Sequence, residues 1–387
     1  MELTCDRTAL NTAINLAQRA VVKNILGREE RIVLIPSLEG TLKVVGNNPN
    51  YGYFITISVE INGGENTEPL ILDASMLSKI VKRGKNPLVK IVCSNEDYNV
   101  KIKNGSFVSK LRRSNELPFT LDSRFGENEE IFHIPSDILC KLLTATCWAS
   151  AQDNKKPNYK VCQLVIDKGE KLIARATDSY VIAIAEEEFP SNLGMGNIET
   201  FVPSYVGDEV SSVDMKDSTV CMAYKHISLR KTNSVGEVYL ESQLMNVKYP
   251  DLNQYLKNLS FLNEITLSRD LFTDTLSRLC IQLQDNLFPV VMTYKDKTLY
   301  FDNTKPRYEF HETMPVVKGP KESFKCAFDI KKVLSALKGT YVMNEDDKIK
   351  FHYCGDQKPI VISTDNYFAY VMMITTPMLD KNEKEMG

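Results

Sequence analysis

The chain offers few residues for catalysis, and their spacing argues against it. Four histidines, at 133, 226, 311 and 352, stand far apart. None belongs to an HExxH pairing, which would set two imidazoles on one helix face around zinc. Nine cysteines (5, 93, 140, 147, 162, 221, 280, 326 and 354) are odd in number and scattered. No two have the CxxC spacing of a structural zinc site, so free thiols in a reducing compartment are the simplest reading. Gly194-Met195-Gly196 lacks a third glycine and sits among Pro, Gly and Asn, which fits a turn better than a phosphate cradle. No P-loop is present. Asp178, in Ala176-Thr177-Asp178, invites a catalytic role, yet an Asp beside a strand end more often caps a turn. No enzyme activity, metal or cofactor is expected.

Charge and apolar surface are the remaining sources of function. The 387 residues include 47 basic and 50 acidic ones, a net charge of −3. Such a balance neither announces nor excludes nucleic acid, because binding depends on where the charge sits. The first residues, MELTCDRTAL, lack the basic and apolar regions of a signal peptide, and no apolar run approaches the ~18 residues of a membrane span. A cytoplasmic protein without a membrane partner is expected.

These surfaces must be carried by a repeated set of elements. Leu3-Thr4-Cys5-Asp6 precedes Leu10, Ala13, Ile14 and Ala17; Phe132-His133-Ile134-Pro135 precedes Leu139, Leu142, Leu143 and Thr146; Ile265-Thr266-Leu267-Ser268 precedes Phe272, Thr275, Leu276 and Leu279. Each is a short strand followed by the i, i+3, i+4, i+7 spacing of one buried helical face. Asp6, Ser136 and Ser268 are the predicted N-caps. A second strand-then-helix begins inside each unit, at Leu70–Asp73, Phe201–Pro203 and Ala327–Asp329. The anchors recur with a period near 130 residues. Between them lie short strands such as Thr41–Val45, Lys90–Cys93, Lys171–Ala176, Thr298–Phe301 and Lys348–His352, with turns at Asn47-Asn48, Gly63-Gly64, Asn104-Gly105 and Asp167-Lys168-Gly169. The expected class is α+β. It comprises three repeated domains, 1–128, 129–257 and 258–387, each with two helices on largely antiparallel sheet. A charged tail, Asp380 to Glu385, follows.

Local motifs add a resemblance. Lys171 to Tyr180, with Ala176-Thr177-Asp178, resembles a strand ending in ATD found in the beta subunit of bacterial DNA polymerase III, the beta sliding clamp family. Tyr249-Pro250-Asp251 resembles that family's (Y/F)PD element. Tyr370 to Leu379 resembles its C-terminal strand ending in PM, and Leu117-Pro118-Phe119 its segment closing the first domain. The resemblance covers essentially the whole chain, and the order and spacing of the motifs carry it. The chain is a divergent member: Ser179-Tyr180 stands where the family has Gly-His, and Lys156-Pro157 where it has Arg-Pro.

The resemblance implies a clamp fold and a ring of two chains joined head to tail, a homodimer around double-stranded DNA bound without regard to sequence. The helices facing DNA should carry Arg7, Arg19 and Lys23 around the first helix, Arg28 and Arg31 in the loop after it, and Lys79, Lys82, Arg83 and Lys85 around the second. Lys141, Lys155 and Lys156 follow in the second domain, and Arg278, Lys331, Lys332 and Lys338 in the third. The competing reading of any one of these is a solvated helix face. The segment after Pro203 is not basic, so the lining is uneven there. A hydrophobic cleft should take short linear motifs of DNA polymerase and clamp-loader subunits. Its implied lining is Thr177, Ser179, Tyr180, Ile182, Tyr255, Ile374, Thr376, Pro377, Met378 and Leu379, with Tyr159 to Val161 nearby. Tyr180 and Tyr255 stand where relatives have smaller residues. The alternative for the chain end is a core edge strand. The dimer interface implied is Phe107, Val108 and Lys110 against Ile281 and Leu283. A clamp-fold protein-binding scaffold that does not encircle DNA is the competing function.

Overall fold

The computed structural model describes residues 1–21, 30–63, 68–93, 98–119, 121, 132–153, 155–194, 196–223, 225–234, 236–282, 289–303 and 311–374. Lys23, Arg28, Leu283, Thr376, Pro377, Met378 and Leu379 lie outside them. The described helices are α1 (Arg7–Ala20), α2 (Ala74–Arg83), α3 (Ser136–Thr146), α4 (Ser204–Ser212), α5 (Leu252–Leu256), α6 (Arg269–Gln282) and α7 (Ile330–Met343). All except the short α5 correspond to the predicted strand-then-helix anchors.

The apolar spacing explains why the helices form where they do. Leu10, Ala13, Ile14 and Ala17 of α1 are buried, as are Leu139, Leu142, Leu143 and Thr146 of α3 and Phe272, Thr275, Leu276 and Leu279 of α6. Asp6 caps α1 by accepting the Ala9 N–H at 2.9 Å, and Asp73 and Asp329 cap α2 and α7 in the same way. Ser268 Oγ accepts the Leu271 N–H at 3.2 Å. Ser136 differs from its predicted role as a cap: it is the first residue of α3. The rigid φ of Pro135, just before it, suits the entry into the helix.

Among the described residues all strand pairings are antiparallel, in four sheets. Sheet one runs Glu60–Asn62, Glu2–Asp6, Leu88–Val92, Asn99–Asn104, Phe107–Arg112. Sheet two runs Phe132–Pro135, Thr219–Met222, His226–Asn233, Gly236–Gln243, Tyr51–Ser58, Thr41–Asn47, Arg31–Ser37, Leu70–Asp73. Sheet three runs Ile198–Pro203, Val161–Asp167, Lys171–Thr177, Val181–Glu188, Tyr367–Met372, Pro359–Ser363, Lys348–Tyr353, Asn263–Ser268. Sheet four runs His311–Pro315, Thr298–Asn303, Pro289–Lys295, Phe324–Asp329. Arg31, expected in a loop, opens a strand of sheet two and pairs with Asp73.

The chain divides into two compact bodies. One holds Met1–Ser136 with Met215–Leu244; the other holds Asp137–Asp214 and the chain from Met245 on. Sheets one and two lie in the first body, sheets three and four in the second. Strands from both sides of positions 128 and 257 thus share sheets, and three domains at those boundaries remain a reading of the sequence repeat.

Helices lie close on their sheets. A Cβ on Gly46 would come 1.9 Å from the Ala17 carbonyl oxygen of α1, and one on Gly339 of α7 would come 2.2 Å from the Tyr367 hydroxyl. Real side-chain carbons do not approach that closely, so glycine sets both spacings.

Candidate functional site

In the second body, α5 and the turn after strand Lys171–Thr177 enclose a cleft of about 290 Å³. Asp251 starts α5 by accepting the Asn253 and Gln254 N–H groups at 3.0 and 3.2 Å. The helix then presents Leu252 and Tyr255 to the cleft. The opposite wall comes from sheet three, where Ile182 pairs with Tyr370. Side chains alternate along a strand, so Tyr370 and Met372 share one face while Ala369 and Val371 turn into the core. Tyr159, Pro250 and Pro359 complete the lining.

The Thr177–Val181 turn is held by its own side chains. Thr177 is buried and donates its hydroxyl to the Val181 carbonyl at 2.6 Å. Asp178 Oδ1 accepts the Tyr180 and Val181 N–H groups at 2.6 and 2.8 Å, the capping role expected of it. Ser179 has φ of 78°, where a side chain is disfavoured. Burial raises the Tyr255 and Tyr370 phenols above their ordinary range, and the nearby Cys354 adds to it. Both are therefore neutral donors near pH 7, and Tyr255 points its hydroxyl at Met372 Sδ, 3.4 Å away. Such a surface can bury an apolar side chain, worth about 1.5–3 kcal/mol when fully enclosed.

Of the expected cleft residues, the structure brings together Thr177, Ser179, Tyr180, Ile182 and Tyr255. Ile374 is not among the lining; its N–H donates to the Ala327 carbonyl at 2.8 Å. Leu252, Pro359, Tyr370 and Met372 were missed. The Pro250-Asp251 pair was a usable cap signal for α5, and strand alternation would have picked Tyr370 and Met372 once the burial face was known.

A second hollow of about 450 Å³ adjoins the first, and Tyr180 and Val181 line both. Lys156, Lys331, Lys332, Asp153, Asp178 and Asp329 lie around it. Lys156 donates to the Asp178 carbonyl (2.9 Å) and Ser179 Oγ (2.5 Å), and Lys332 to Asp178 Oδ2 (3.3 Å).

The other basic residues fall into two groups. In the first body, α1 and α2 contain no acidic residue. Arg19, Lys79, Lys82 and Arg83 are exposed, and Arg7 is half-buried. Lys79, Lys82 and Arg83 stand at i, i+3, i+4 on one face. Arg31 is half-buried and donates to Ser114 Oγ at 2.7 Å. In the second body, Lys141 pairs with Glu187 and Arg278 with Glu312. Lys155, Lys331 and Lys338 are exposed. On α4 and α6 the exposed side chains include Asp208, Asp270 and Asp274, so α7 alone among the second body's described long helices is basic without acidic residues.

Among the terminal strands of the described sheets, two bear on assembly. Phe107–Arg112 ends sheet one, with Phe107, Val108 and Lys110 exposed, and His311–Pro315 ends sheet four. Ile281, at the end of α6, is 69% exposed.

No protein-family model matches the chain, and no curated protein matches it. Solved structures do. A DNA polymerase sliding clamp from Bacillus subtilis superposes with a TM-score of 0.81 at 19% identity, covering 97% of this chain and 99% of that one. A putative DNA polymerase III beta subunit from Eubacterium rectale gives 0.81 at 17% identity, covering 97% and 100%. The DNA polymerase III beta subunit from Thermotoga maritima gives 0.80 at 18% identity, covering 97% and 99%. The chain has the fold of these clamps over nearly its full length.

Proposed function

We propose that this chain is a DNA sliding clamp, a processivity factor without catalysis of its own. Two copies close head to tail around duplex DNA, and the cleft tethers short motifs of a DNA polymerase and of clamp-loader subunits. The three-domain division, the cytoplasmic location and the site roles above belong to this reading.

The observation that carries it is the pattern of sheet junctions. Each eight-stranded sheet is two four-stranded halves joined at one antiparallel contact. Gly236–Gln243 pairs with Tyr51–Ser58, and Tyr367–Met372 pairs with Val181–Glu188. In both, the last strand of one half meets the third strand of a half formed earlier in the chain. Applying the same last-to-third pairing to the halves left over selects Phe107–Arg112 and His311–Pro315, each a terminal strand of its sheet. An open edge offers unpaired N–H and C=O groups to another strand. Two different edges meeting between copies make a heterologous contact, which yields a ring if the rotation closes.

The basic faces of α1 and α2, with Lys338 of α7, supply phosphate contacts without sequence reading, as sliding requires. The competing reading, a scaffold that does not encircle DNA, draws on the exposed aspartates of α4 and α6. The deciding experiment loads the protein on nicked circular DNA and then linearises it. Retention on the circle and release from the linear form support the clamp. A monomer that releases both equally supports the scaffold.

A further inference from the structure

The hollow beside the cleft points to the chemistry of the partner, given that the cleft is a peptide site. Tyr180 is 58% exposed, yet its ring has two ammonium groups near it, Lys156 Nζ at 4.7 Å and Lys332 Nζ at 4.9 Å from the centroid. The same two lysines hold the Asp178–Ser179 turn. Lys331 is exposed on the same rim and has no partner among the described residues. The carboxylates of the hollow each take backbone donors. Asp329 accepts the Lys331 and Lys332 N–H groups, Asp178 those of Tyr180 and Val181, and Asp153 that of Lys155. An ammonium has three donors. Lys156 uses two, Lys332 one and Lys331 none. Donor capacity is therefore left facing the hollow, one residue away from an apolar cleft.

We propose that the hollow receives an acidic side chain of the bound peptide. An extended segment seats an apolar residue in the cleft and places an aspartate or glutamate across Tyr180, on Lys156, Lys331 and Lys332. An extended chain advances about 3.3 Å per residue, so crossing one aromatic ring puts the acid within about three residues of the anchor. This assigns Lys156, Lys331 and Lys332 to partner choice rather than to the DNA contacts that the family resemblance implies for them.

The probe is a phage-displayed library of random dodecapeptides, panned on the full-length protein, on K331M and on K156M/K332M. K331M removes no side-chain hydrogen bond or ion pair among the described residues, so it guards against misfolding of the double variant. The wild type should enrich peptides pairing an apolar anchor with Asp or Glu within three positions. The variants should enrich the same anchors without the acid, and should bind wild-type-selected acidic peptides at least about fivefold more weakly, with a flatter salt dependence. Enriched anchors without an acid in the wild type, or unchanged preference in both variants, would overturn the inference while leaving the cleft intact. Recovery of no peptide, or of peptides whose binding survives Leu252→Arg, would overturn the cleft reading itself. Loss of retention on nicked circular DNA by K156M/K332M, with peptide preference unchanged, would instead assign these lysines to duplex phosphates.

Discussion

A proline at Lys110 should separate ring closure from folding. Asn104 and Phe107 flank a two-residue turn with Gly105 at φ of 64°, and they pair across it. In such a hairpin the pair next to the turn exchanges both hydrogen bonds, and bonded pairs then alternate. Phe107, Ser109 and Leu111 therefore bond inward to Asn99–Asn104. Val108, Lys110 and Arg112 point their N–H groups out from the open edge. Pro is tolerated at such an outward position, because no ladder bond is lost within the chain. The internal junctions span six and five residue pairs. With the proposed edge pairing, Lys110→Pro would remove one intermolecular bond, and its ring would displace one or two neighbours. At about 1 kcal/mol net per bond the loss is about 2–3 kcal/mol, or about 30- to 150-fold in the dimer dissociation constant. The assay is light scattering from micromolar to nanomolar concentration, where one chain is 43.9 kDa, together with a thermal melt. The variant should become a monomer at concentrations where the wild type is a dimer, with its melt changed little beyond what dimer loss accounts for. Ser109→Pro, one residue away, should unfold the edge by breaking its inward bond. A K110P dimer as tight as the wild type would refute the edge-pairing argument.

Other outcomes follow from the same geometry. Replacing Lys79, Lys82 and Arg83 with alanine should weaken retention on DNA and, if all three meet phosphates, flatten the log–log salt slope by about 2.7; an unchanged slope would place the contacts elsewhere. Gly46→Ala should destabilise the first body by at least about 1–3 kcal/mol in urea unfolding, since the added carbon meets the α1 backbone. Phe272→Ala should cost about 3–5 kcal/mol, because its ring is fully buried under α6. His352 is buried against Ser363, and burial lowers its pKa from 6.5 while Glu264 opposes the shift. Its neutral form is therefore favoured in the fold, and its contribution is complete above pH 6.5 and lost as pH falls through the lowered value. The melting-temperature gap between wild type and His352→Gln should narrow from pH 7.5 to pH 5; a constant gap would contradict this.

The sequence by itself determined the six longer described helices. Their apolar spacing and Asp caps are local properties, and α1, α2, α6 and α7 start where capping and periodicity place them. It also carried the turn at Asp178, because an Asx side chain and the N–H groups it satisfies lie within three residues of each other. The strand fragments and the repeat period were legible for the same reason. Only the tertiary structure decided which half-sheets fuse, since strand partners such as Gly236–Gln243 and Tyr51–Ser58 are nearly 200 positions apart and any exposed strand edge could in principle accept another. It decided the cleft as well. Tyr370 and Met372 line it because the register with Val181–Glu188 turns their face outward, and a one-residue slip would have turned Ala369 and Val371 there instead. The fate of each lysine was also beyond local reading: Lys141 and Arg278 meet carboxylates brought in by strands remote in the chain, whereas Lys79, Lys82 and Arg83 sit on a helix face with no acidic residue on the same helix.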